Sequence, residues 1–343
     1  MVSICFFNNK GGVGKTTLAC NVASSMAEHF GLSVLLVDAD PQCNASQLML
    51  SPKIQAELYS KGKSETKATT LFDVLSPIAK GESTLSSAIK PMRSARNRFG
   101  IDVIPGHPRV SLLEDRLSQA WIDLGSGDVG GARRTNWATS LTNEFADDYD
   151  VIIFDIGPSL GALNRSVLVG SDYFVTPMGC DIFSIMGVAN ISEWLKNWLN
   201  TYRRGLDSCR EQWGDDIEDY SIREFDEFPL MFAGYTIQQY VSKTIRGVRR
   251  ATKAYEKIIK RFPRVIARDL EAFTQVNQPL KLGDVPNMYS LVPLAQDANS
   301  PIHGIKSKDG LVGAHYGQQE IYVGFIRDLT RQVLSNVEVE FEE

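Results

Sequence analysis

A glycine-rich stretch with two lysines lies between an apolar run and a helical segment near the start of the chain. It covers residues 9–17 and reads Asn-Lys-Gly-Gly-Val-Gly-Lys-Thr-Thr. The apolar run 2–7 predicts a buried strand, and the apolar spacing of 16–30 predicts a helix that ends at Gly31. Residues 33–38 predict the next buried strand, so the whole segment is a βαβ unit with a glycine loop after its first strand.

The residue types of this loop suit the phosphates of a nucleotide. Glycines let the backbone N–H groups point at phosphate oxygens, and the N-terminal end of the next helix attracts the same anion. Lys15 would add positive charge at the β- and γ-phosphates, and the Thr16 hydroxyl can bind magnesium. The pattern G-x-x-x-x-G-K-[ST] is matched except that Asn9 replaces the first glycine. The predicted nucleotide-binding residues are Lys10, Gly11, Gly12, Val13, Gly14, Lys15, Thr16 and Thr17.

Buried strands alternate with helical stretches along the rest of the chain. Further strands are predicted over 101–105, 151–155, 173–177, 230–235 and 289–293, with a helix over 70–75 and a loop over 125–134. This alternation is typical of one doubly wound, mostly parallel sheet flanked by helices. We therefore predict a single α/β domain over 1–343 that carries polar insertions at about 51–100 and 200–228.

Composition narrows the class and the location of the protein. The 343 residues are 43% hydrophobic and 22% charged, and the net charge of −5 does not suggest a nucleic-acid coat protein. The five cysteines are widely spaced and odd in number, which argues against a disulfide framework or a zinc site. The N-terminus lacks the features of a signal peptide, and no apolar run approaches the roughly 20 residues of a membrane span. We expect a cytoplasmic protein that does not bind the membrane.

Three segments together resemble the ParA/MinD class of P-loop ATPases, which has a deviant Walker A motif. Lys10 matches the signature lysine of the class in K-G-G-x-G-K-[ST]-T. Residues 38–42, Asp-Ala-Asp-Pro-Gln, resemble its D-x-D-P-Q switch I segment. Residues 155–160, Asp-Ile-Gly-Pro-Ser-Leu, resemble its D-x-P-P-S-L Walker B and switch II segment, with Gly157 in place of the commoner proline. The resemblance covers 1–50 and 148–190, is looser over 230–335 and is absent from both insertions.

The resemblance implies a SIMIBI-like P-loop fold and an ATP-dependent homodimer that hydrolyses ATP with Mg²⁺. In this class the signature lysine reaches across the dimer to the partner's nucleotide, which gives Lys10 a catalytic role. By the same resemblance Asp40 positions or activates the attacking water, and Asp38 helps to hold the magnesium shell. Asp155 ends an apolar strand, where it can meet magnesium through water. Pro293 falls where the adenine-facing loop of the class begins. The implied magnesium site consists of Thr16, Asp38, Asp40 and Asp155.

A basic stripe in residues 242–262 is a second candidate site. Its Lys and Arg residues recur at helical spacing, and an apolar stripe lies on nearly the opposite face of the predicted helix, which Pro263 ends. The basic stripe is either a solvated helix face or a contact for DNA phosphates. The acidic run within 211–227 is read first as a solvated surface, with partner binding as the alternative. The candidate DNA-binding residues are Lys243, Arg246, Arg250, Lys253 and Lys257.

The leading functional hypothesis is a ParA-like switch in plasmid or chromosome partition or positioning. As the resemblance implies, ATP closes a dimer, the dimer binds DNA without sequence preference, and a ParB-like or other partner stimulates hydrolysis. The alternative is a regulatory ATPase of the same fold that serves a secretion, cellulose-synthesis or anti-phage complex. A DNA-binding assay with and without ATP would separate the two.

Other members of the superfamily fit less well. The chain lacks the paired cysteines of the nitrogenase iron protein and the Tyr-rich tail of bacterial tyrosine kinases, whereas an amidoligase stays open. The acidic end 337–343 disfavours the membrane-binding helix of MinD relatives, because anionic lipid would repel it. Since the sequence begins at the first predicted strand, we expect no helix-turn-helix domain before it.

Overall fold

The computed structural model of this chain describes residues 1–60, 68–214, 217, 220–223, 230–240, 242–245, 248–251, 253–275 and 277–341. The strands in these residues are β1 (Val2–Phe6), β2 (Val34–Asp38), β3 (Asp102–Ile104), β4 (Val151–Asp155), β5 (Tyr173–Gly179), β6 (Met231–Tyr240), β7 (Ser242–Ile245), β8 (Val248–Ala251) and β9 (Lys281–Pro286). The helices are α1 (Lys15–Phe30), α2 (Asn44–Met49), α3 (Pro52–Tyr59), α4 (Leu71–Val74), α5 (Ser76–Ala79), α6 (Glu114–Gly125), α7 (Val129–Thr135), α8 (Trp137–Glu144), α9 (Ala162–Gly170), α10 (Ile182–Trp213), α11 (Lys253–Ile259), α12 (Phe262–Asp269), α13 (Leu291–Asp297) and α14 (His315–Asn336).

Seven of the strands form one sheet in the order β3-β2-β4-β1-β5-β6-β9, and every pairing in it is parallel. Both faces are covered, because alternate residues along β1 and the residue that follows it enter two separate apolar cores. Ile4 and Phe6 pack on the side of α1 and α14, whereas Cys5 and Phe7 pack on the side of α6, α9 and α10. A sheet buried on both faces explains why its central strands are continuous apolar runs. The predicted doubly wound α/β fold is confirmed.

The central strands end level with one another. Asp155, the last residue of β4, pairs with Phe6 of β1 on one side and with Asp38 of β2 on the other. In an open parallel sheet the ligand site lies beyond the carboxyl ends of the strands, at the point where the strand order reverses. Here that point is next to β1, so the loops that follow β1, β2 and β4 meet at one edge.

The predicted seventh strand over 289–293 is wrong. The seventh strand of the sheet is β9, and residues 291–297 form the helix α13. β9 lies at the edge of the sheet, where charged residues such as Lys281 and Asp284 are tolerated. It therefore lacks the apolar run by which a buried strand is recognised.

The predicted loop over 125–134 is also wrong in its second half, which forms α7. The Asp128 carboxylate accepts a hydrogen bond from the Gly131 N–H and so caps the start of this helix. A Cβ on Gly131 would lie 2.6 Å from the Leu124 backbone nitrogen. Gly131 therefore allows α7 to pack closely against α6 and is not part of a turn.

The continuous basic helix over 242–262 is wrong as well. β7 and β8 form an antiparallel hairpin in which Lys243 pairs with Arg250, and helix begins only at Lys253. Thr244, Ile245 and Val248 are β-branched and favour strand over helix. Pro263 does not end a helix but lies in the first turn of α12, where its missing N–H costs nothing.

Several sequence predictions concern residues outside the described ones. Arg246 of the basic stripe is one of them, and so are the acidic residues at 215, 216, 218, 219, 224, 226 and 227. The beginning of the second predicted insertion, residues 200–213, is the last part of the 32-residue helix α10. Among the described helices, none combines the length and apolar character that crossing a bilayer requires.

Packing of α10 against α6 gives a test of the fold. A Cβ on Gly205 of α10 would lie 2.6 Å from Leu124 Cγ and 2.8 Å from the Leu124 carbonyl oxygen. We expect Gly205→Ala to lower the free energy of unfolding by about 1 to 3 kcal/mol through overpacking. Gly324 of α14 has open space around it and is the matched control. Gly324→Ala should raise stability by about 0.5 to 1 kcal/mol. Urea unfolding of both variants measures this, and equal shifts would contradict the described packing.

Candidate nucleotide-binding site

The loop between β1 and α1 has the backbone conformation of an anion cradle. Gly12 and Gly14 have φ angles of 73° and 76°, in the left-handed region that favours glycine. Nothing lies within 4 Å of the position that a Cβ would occupy on Gly11 or Gly12, so an incoming group can approach the backbone closely. Gly14 precedes α1 without a side-chain cap, which leaves the first N–H groups of the helix available to an anion.

Asn8 ties this loop to the sheet. Its side-chain nitrogen donates to the Pro177 carbonyl at 2.7 Å, and its side-chain oxygen accepts from the Lys10 N–H at 2.8 Å. Asn8 is buried, so both hydrogen bonds fix the loop relative to β5. Sequence reasoning missed this residue, since a polar side chain at the end of an apolar strand was its only signal.

A cavity of about 650 Å³ opens beside the loop. It brings together residues from the glycine loop, switch I, switch II and α13. Its lining consists of Gly11, Gly12, Gly14, Lys15, Thr16, Thr17, Asp40, Gln42, Asn44, Gln47, Leu48, Pro158, Gln296 and Asp297. Val13 of the predicted set is buried and is not among these residues.

Lys15 is the positive charge of the cavity. It starts α1 and is 7% exposed. Burial lowers its pKa, and the negative charges of Asp155 and Asp40 oppose this effect. A lysine held here among carboxylates can contribute its charge to bound phosphates.

Asp155 is a fully buried carboxylate at the end of β4. Burial, with a contribution from nearby Asp38, raises its pKa to about 8. Neither oxygen has a hydrogen-bond partner among the described residues, although the Thr16 hydroxyl is near enough to lower its pKa. Such an unsatisfied acceptor beside Thr16 fits a water-ligated divalent cation. No group of three or more Asp, Glu, His or Cys side chains in the described chain could hold a metal alone, so Mg²⁺ would also need water and phosphate oxygens.

Asp38 lies deeper and is fully hydrogen-bonded. One oxygen accepts from the Ser46 N–H at 2.8 Å and from its hydroxyl at 2.6 Å, and the other from the Asp40 N–H at 3.3 Å. The Ser46 hydroxyl in turn accepts from the Gly106 N–H at 2.8 Å. Burial raises the pKa of Asp38 to about 6, while the hydrogen bonds from Ser46 lower it. Asp38 thus anchors α2 and the loop after β3.

Asp40 faces the cavity. One of its oxygens accepts from the Gln42 N–H at 2.9 Å, and the other accepts from the Asn44 side chain at 3.2 Å. Gly157 of the switch II segment lies directly against it, since a Cβ there would be 3.0 Å from the Asp40 carboxylate. The departure from proline at position 157 therefore leaves room for Asp40.

Lys10 does not line the cavity of its own chain. Its ammonium group forms an ion pair of 2.6 Å with Asp181, the residue that caps the start of α10. Partial burial raises the pKa of Asp181, but the hydrogen bonds from Lys10 and Ser184 outweigh it and the pKa is lowered. Both side chains are about one-third or more exposed, at 41% for Lys10 and 34% for Asp181. Such an exposed pair is weak and can be exchanged for another partner.

The far end of the cavity differs from the predicted one. Pro293 is in α13 and exposed, and it is not among the lining residues, whereas Gln296 and Asp297 one turn later are. The Asn299 side chain donates to the carbonyls of Gln47 and Leu48 and so connects this end to α2. Gln296 and Asp297 are not predicted from the sequence, because the pattern of residues 289–293, which include the start of α13, predicts a strand.

The raised pKa of Asp155 predicts a pH dependence. With a folded pKa of about 8 against an ordinary 3.8, Asp155 holds a proton in the folded state at pH values where the unfolded chain has lost it. Its contribution to stability therefore falls as pH rises through this window, by at most about 1.4 kcal/mol per pH unit. Without nucleotide or Mg²⁺, Asp155→Asn should therefore gain stability relative to wild type as the pH rises from about 4 to about 8.

Urea unfolding across pH measures this relative gain. Asp297→Asn, at an exposed position of the same cavity, is the control and should leave the pH slope unchanged. Parallel pH profiles for Asp155→Asn and wild type would contradict the burial of a carboxyl group with a raised pKa.

The comparisons with known proteins agree with this geometry. The chromosome partitioning protein ParA of Caulobacter vibrioides is 29% identical over 260 residues, or 75% of this chain and 80% of that protein. The virulence plasmid ParA family protein pGP5-D of Chlamydia trachomatis is 30% identical over 197 residues, or 57% of this chain and 63% of that one. This chain thus spans less than two thirds of the length of several curated relatives that it matches.

A solved structure and a family model extend the match. The crystal structure of protein DIP2308 from Corynebacterium diphtheriae is 37% identical, with a TM-score of 0.71 over 87% of this chain and 97% of that one. The family model AAA_31, described as an AAA domain, matches residues 1–207, which is more than half of the chain. The chain therefore belongs to the AAA_31 family and is a P-loop ATPase of the ParA/MinD type.

Proposed function

We propose that this protein binds ATP and Mg²⁺ in the cavity beside the glycine loop, dimerises with ATP, and hydrolyses it as a switch in DNA partition or positioning. The observation that carries this proposal is the position of Asp40. Its carboxylate lines the same cavity as Lys15 and Thr16, and both its oxygens are oriented by hydrogen bonds. The proposal treats 1–343 as one ATPase domain with two insertions.

In this proposal each site residue has a separate role in ATP hydrolysis. The loop N–H groups and Lys15 hold and neutralise the phosphates. Thr16 and, through water, Asp155 would hold Mg²⁺, which offsets the charge that develops on the β- and γ-phosphates. Asp40 accepts a hydrogen bond from the attacking water and fixes its direction. Asp38 acts indirectly. The hydrogen bonds that it accepts from Ser46 keep the switch I segment in place.

The surface near Lys10 supports dimerisation. Lys10 is outside its own cavity, so it cannot serve the nucleotide of its own chain from this position. Asp181, with which Lys10 forms its ion pair, directly precedes α10. Near the start of this helix, Phe183 and Met186 are 72% and 60% exposed. Large apolar side chains exposed together mark a contact surface. As the family resemblance implies, Lys10 would then leave Asp181 and reach the nucleotide of the second copy.

Lys10→Ala tests the dimeric switch. We expect the variant to bind ATP as wild type does, because Lys10 does not line the cavity, but to stay monomeric and to hydrolyse ATP at least tenfold more slowly, a loss of about 1.4 kcal/mol. Light scattering with ATP and Mg²⁺ reports the dimer, and a phosphate-release assay reports turnover. Lys15→Ala is the comparison variant and should lose ATP binding itself. An unimpaired ATP-dependent dimer of Lys10→Ala would leave Lys10 as a solvated side chain.

Two observations favour DNA as a partner. The ParA protein of Caulobacter vibrioides, to which this chain is similar, is by its name a chromosome partitioning protein. The basic hairpin of β7 and β8 follows the carboxyl end of β6, at the same edge of the sheet as the glycine loop. Dimer closure at that edge would bring together two copies of a segment that contains Lys243 and Arg250. The proposed partners are thus non-specific DNA and a ParB-like activator, with a cytoplasmic, nucleoid-associated location.

The DNA proposal is tested by Arg250→Glu with Lys253→Glu. If these residues contact phosphates, wild type should bind DNA only with ATP, without sequence preference and less tightly as salt rises. The double variant should bind more weakly, and its salt slope should flatten by about one unit per lost contact. Filter binding over a salt series measures both effects, and ATP turnover without DNA is the control. Absence of ATP-dependent DNA binding by wild type at low salt would favour the alternative, a regulatory ATPase of another complex.

A further inference from the structure

The end of the switch II segment is fixed by a carboxylate from another helix. Glu114 lies in the first turn of α6, and its two oxygens accept hydrogen bonds from the Ala162 N–H and, at 3.3 Å, from the Leu163 N–H. These are the first two residues of α9, which begins where switch II ends. Gly161, the residue before α9, has no side chain with which to cap it. Glu114 therefore performs the capping that a Ser or Asp at 161 would normally perform.

Gly161 lies directly against this capping contact. A Cβ on Gly161 would lie 2.3 Å from one Glu114 carboxylate oxygen, so any other residue at 161 would require the Glu114 carboxylate to move from its capping position. An acidic group at a helix N-terminus is also favoured by the helix dipole. Glu114 is half-buried, which strengthens this interaction over that of an exposed pair.

The same segment is connected to Asp40 at its other end. The Asn164 side chain in the first turn of α9 donates to the carbonyls of Gly157 and Ser159, each at 2.8 Å. Gly157 lies against the Asp40 carboxylate. A shift of the first turn of α9 would therefore move Gly157 relative to Asp40.

A half-buried cation, Arg165 of α9, lies near Glu114. The Arg165 guanidinium lies between two rings, 5.1 Å from Trp121 of α6 and 5.5 Å from Trp198 of α10. Its Nε atom is buried without a hydrogen-bond acceptor among the described residues. Burial lowers the pKa of Arg165, and the negative charge of Glu114 opposes this effect. Glu114 is thus the compensating charge at the junction of three helices.

We propose that Glu114 is a positioning residue for ATP hydrolysis, which caps α9 and thereby holds the switch II segment in register with Asp40. The proposal rests on the function proposed above. Glu114 touches neither the cavity nor the glycine loop. Its removal should therefore change turnover without changing the affinity for ATP.

The test compares Glu114→Ala and Glu114→Gln with the control Asp128→Ala. Asp128 caps α7 through the Gly131 N–H, so its loss removes a similar capping contact that does not involve switch II. For Glu114→Ala we expect kcat to fall about fivefold, which corresponds to about 1 kcal/mol of barrier. The Kd for ATP should stay within about twofold of wild type, because the phosphate cradle is intact. Glu114→Gln keeps one acceptor and should show a smaller loss, and Asp128→Ala should show none.

Hydrogen exchange of the segment 156–163 provides a readout that does not depend on activity. Glu114→Ala should speed exchange of the Ala162 and Leu163 amides, whereas Asp128→Ala should leave them unchanged. If kcat is unchanged in Glu114→Ala, or falls equally in Asp128→Ala, the positioning role is overturned. If Glu114→Ala fails to fold, Glu114→Gln carries the same comparison. If wild type itself does not hydrolyse ATP, the proposed function fails, and unchanged exchange in Glu114→Ala would separately overturn the cap.

Discussion

The site depends on the burial of two carboxylates side by side at the end of a parallel sheet. Asp38 and Asp155 are paired in register on neighbouring strands, and neither is exposed. Burial raises the pKa of both groups, and the negative charge of Asp38 raises that of Asp155 further, while Lys15 offsets only part of the effect on Asp155. Asp38 is further compensated by two hydrogen bonds from Ser46, whereas within the described part of the chain the Asp155 oxygens have only the nearby Thr16 hydroxyl. The negative charge that remains uncompensated favours a bound cation at this edge. A site for a nucleotide with magnesium requires such an environment.

Three glycines make room for the carboxylates around this edge. A Cβ would lie 2.9 Å from Asp38 Cγ on Gly106, 3.0 Å from an Asp40 oxygen on Gly157, and 2.3 Å from a Glu114 oxygen on Gly161. In each case the backbone of a loop packs directly on a charged group from another element. The loops and the carboxylates are therefore in direct contact, and a larger residue at any of the three positions would require one of the two to move.

The insertion after switch I is part of this arrangement. Tyr59 of α3 donates its hydroxyl hydrogen bond to the Gly106 carbonyl at 3.0 Å, and the Gly106 N–H donates to Ser46. Ser46 in turn holds Asp38. A segment that contains none of the recognised motifs thus supports the buried carboxylate by a chain of hydrogen bonds. The helix α3 therefore supports the site without lining the cavity.

The sequence by itself determined the phosphate loop and the central strands. Both are local features, because the loop needs its glycines and lysine in consecutive positions and a strand buried on both faces must be a continuous apolar run. Through the resemblance to the ParA/MinD class it also predicted site roles for Asp38, Asp40 and Asp155, each of which follows or ends such a run. The tertiary structure decided what depends on residues far apart in the chain. The edge strand β9 needs no apolar face, and the basic hairpin is stabilised by strand pairing that helical spacing does not report. Asn8, Glu114, Gln296 and Asp297 lie beside the loop, the switch II segment or the cavity only after folding, because their contacts join residues that no local pattern connects.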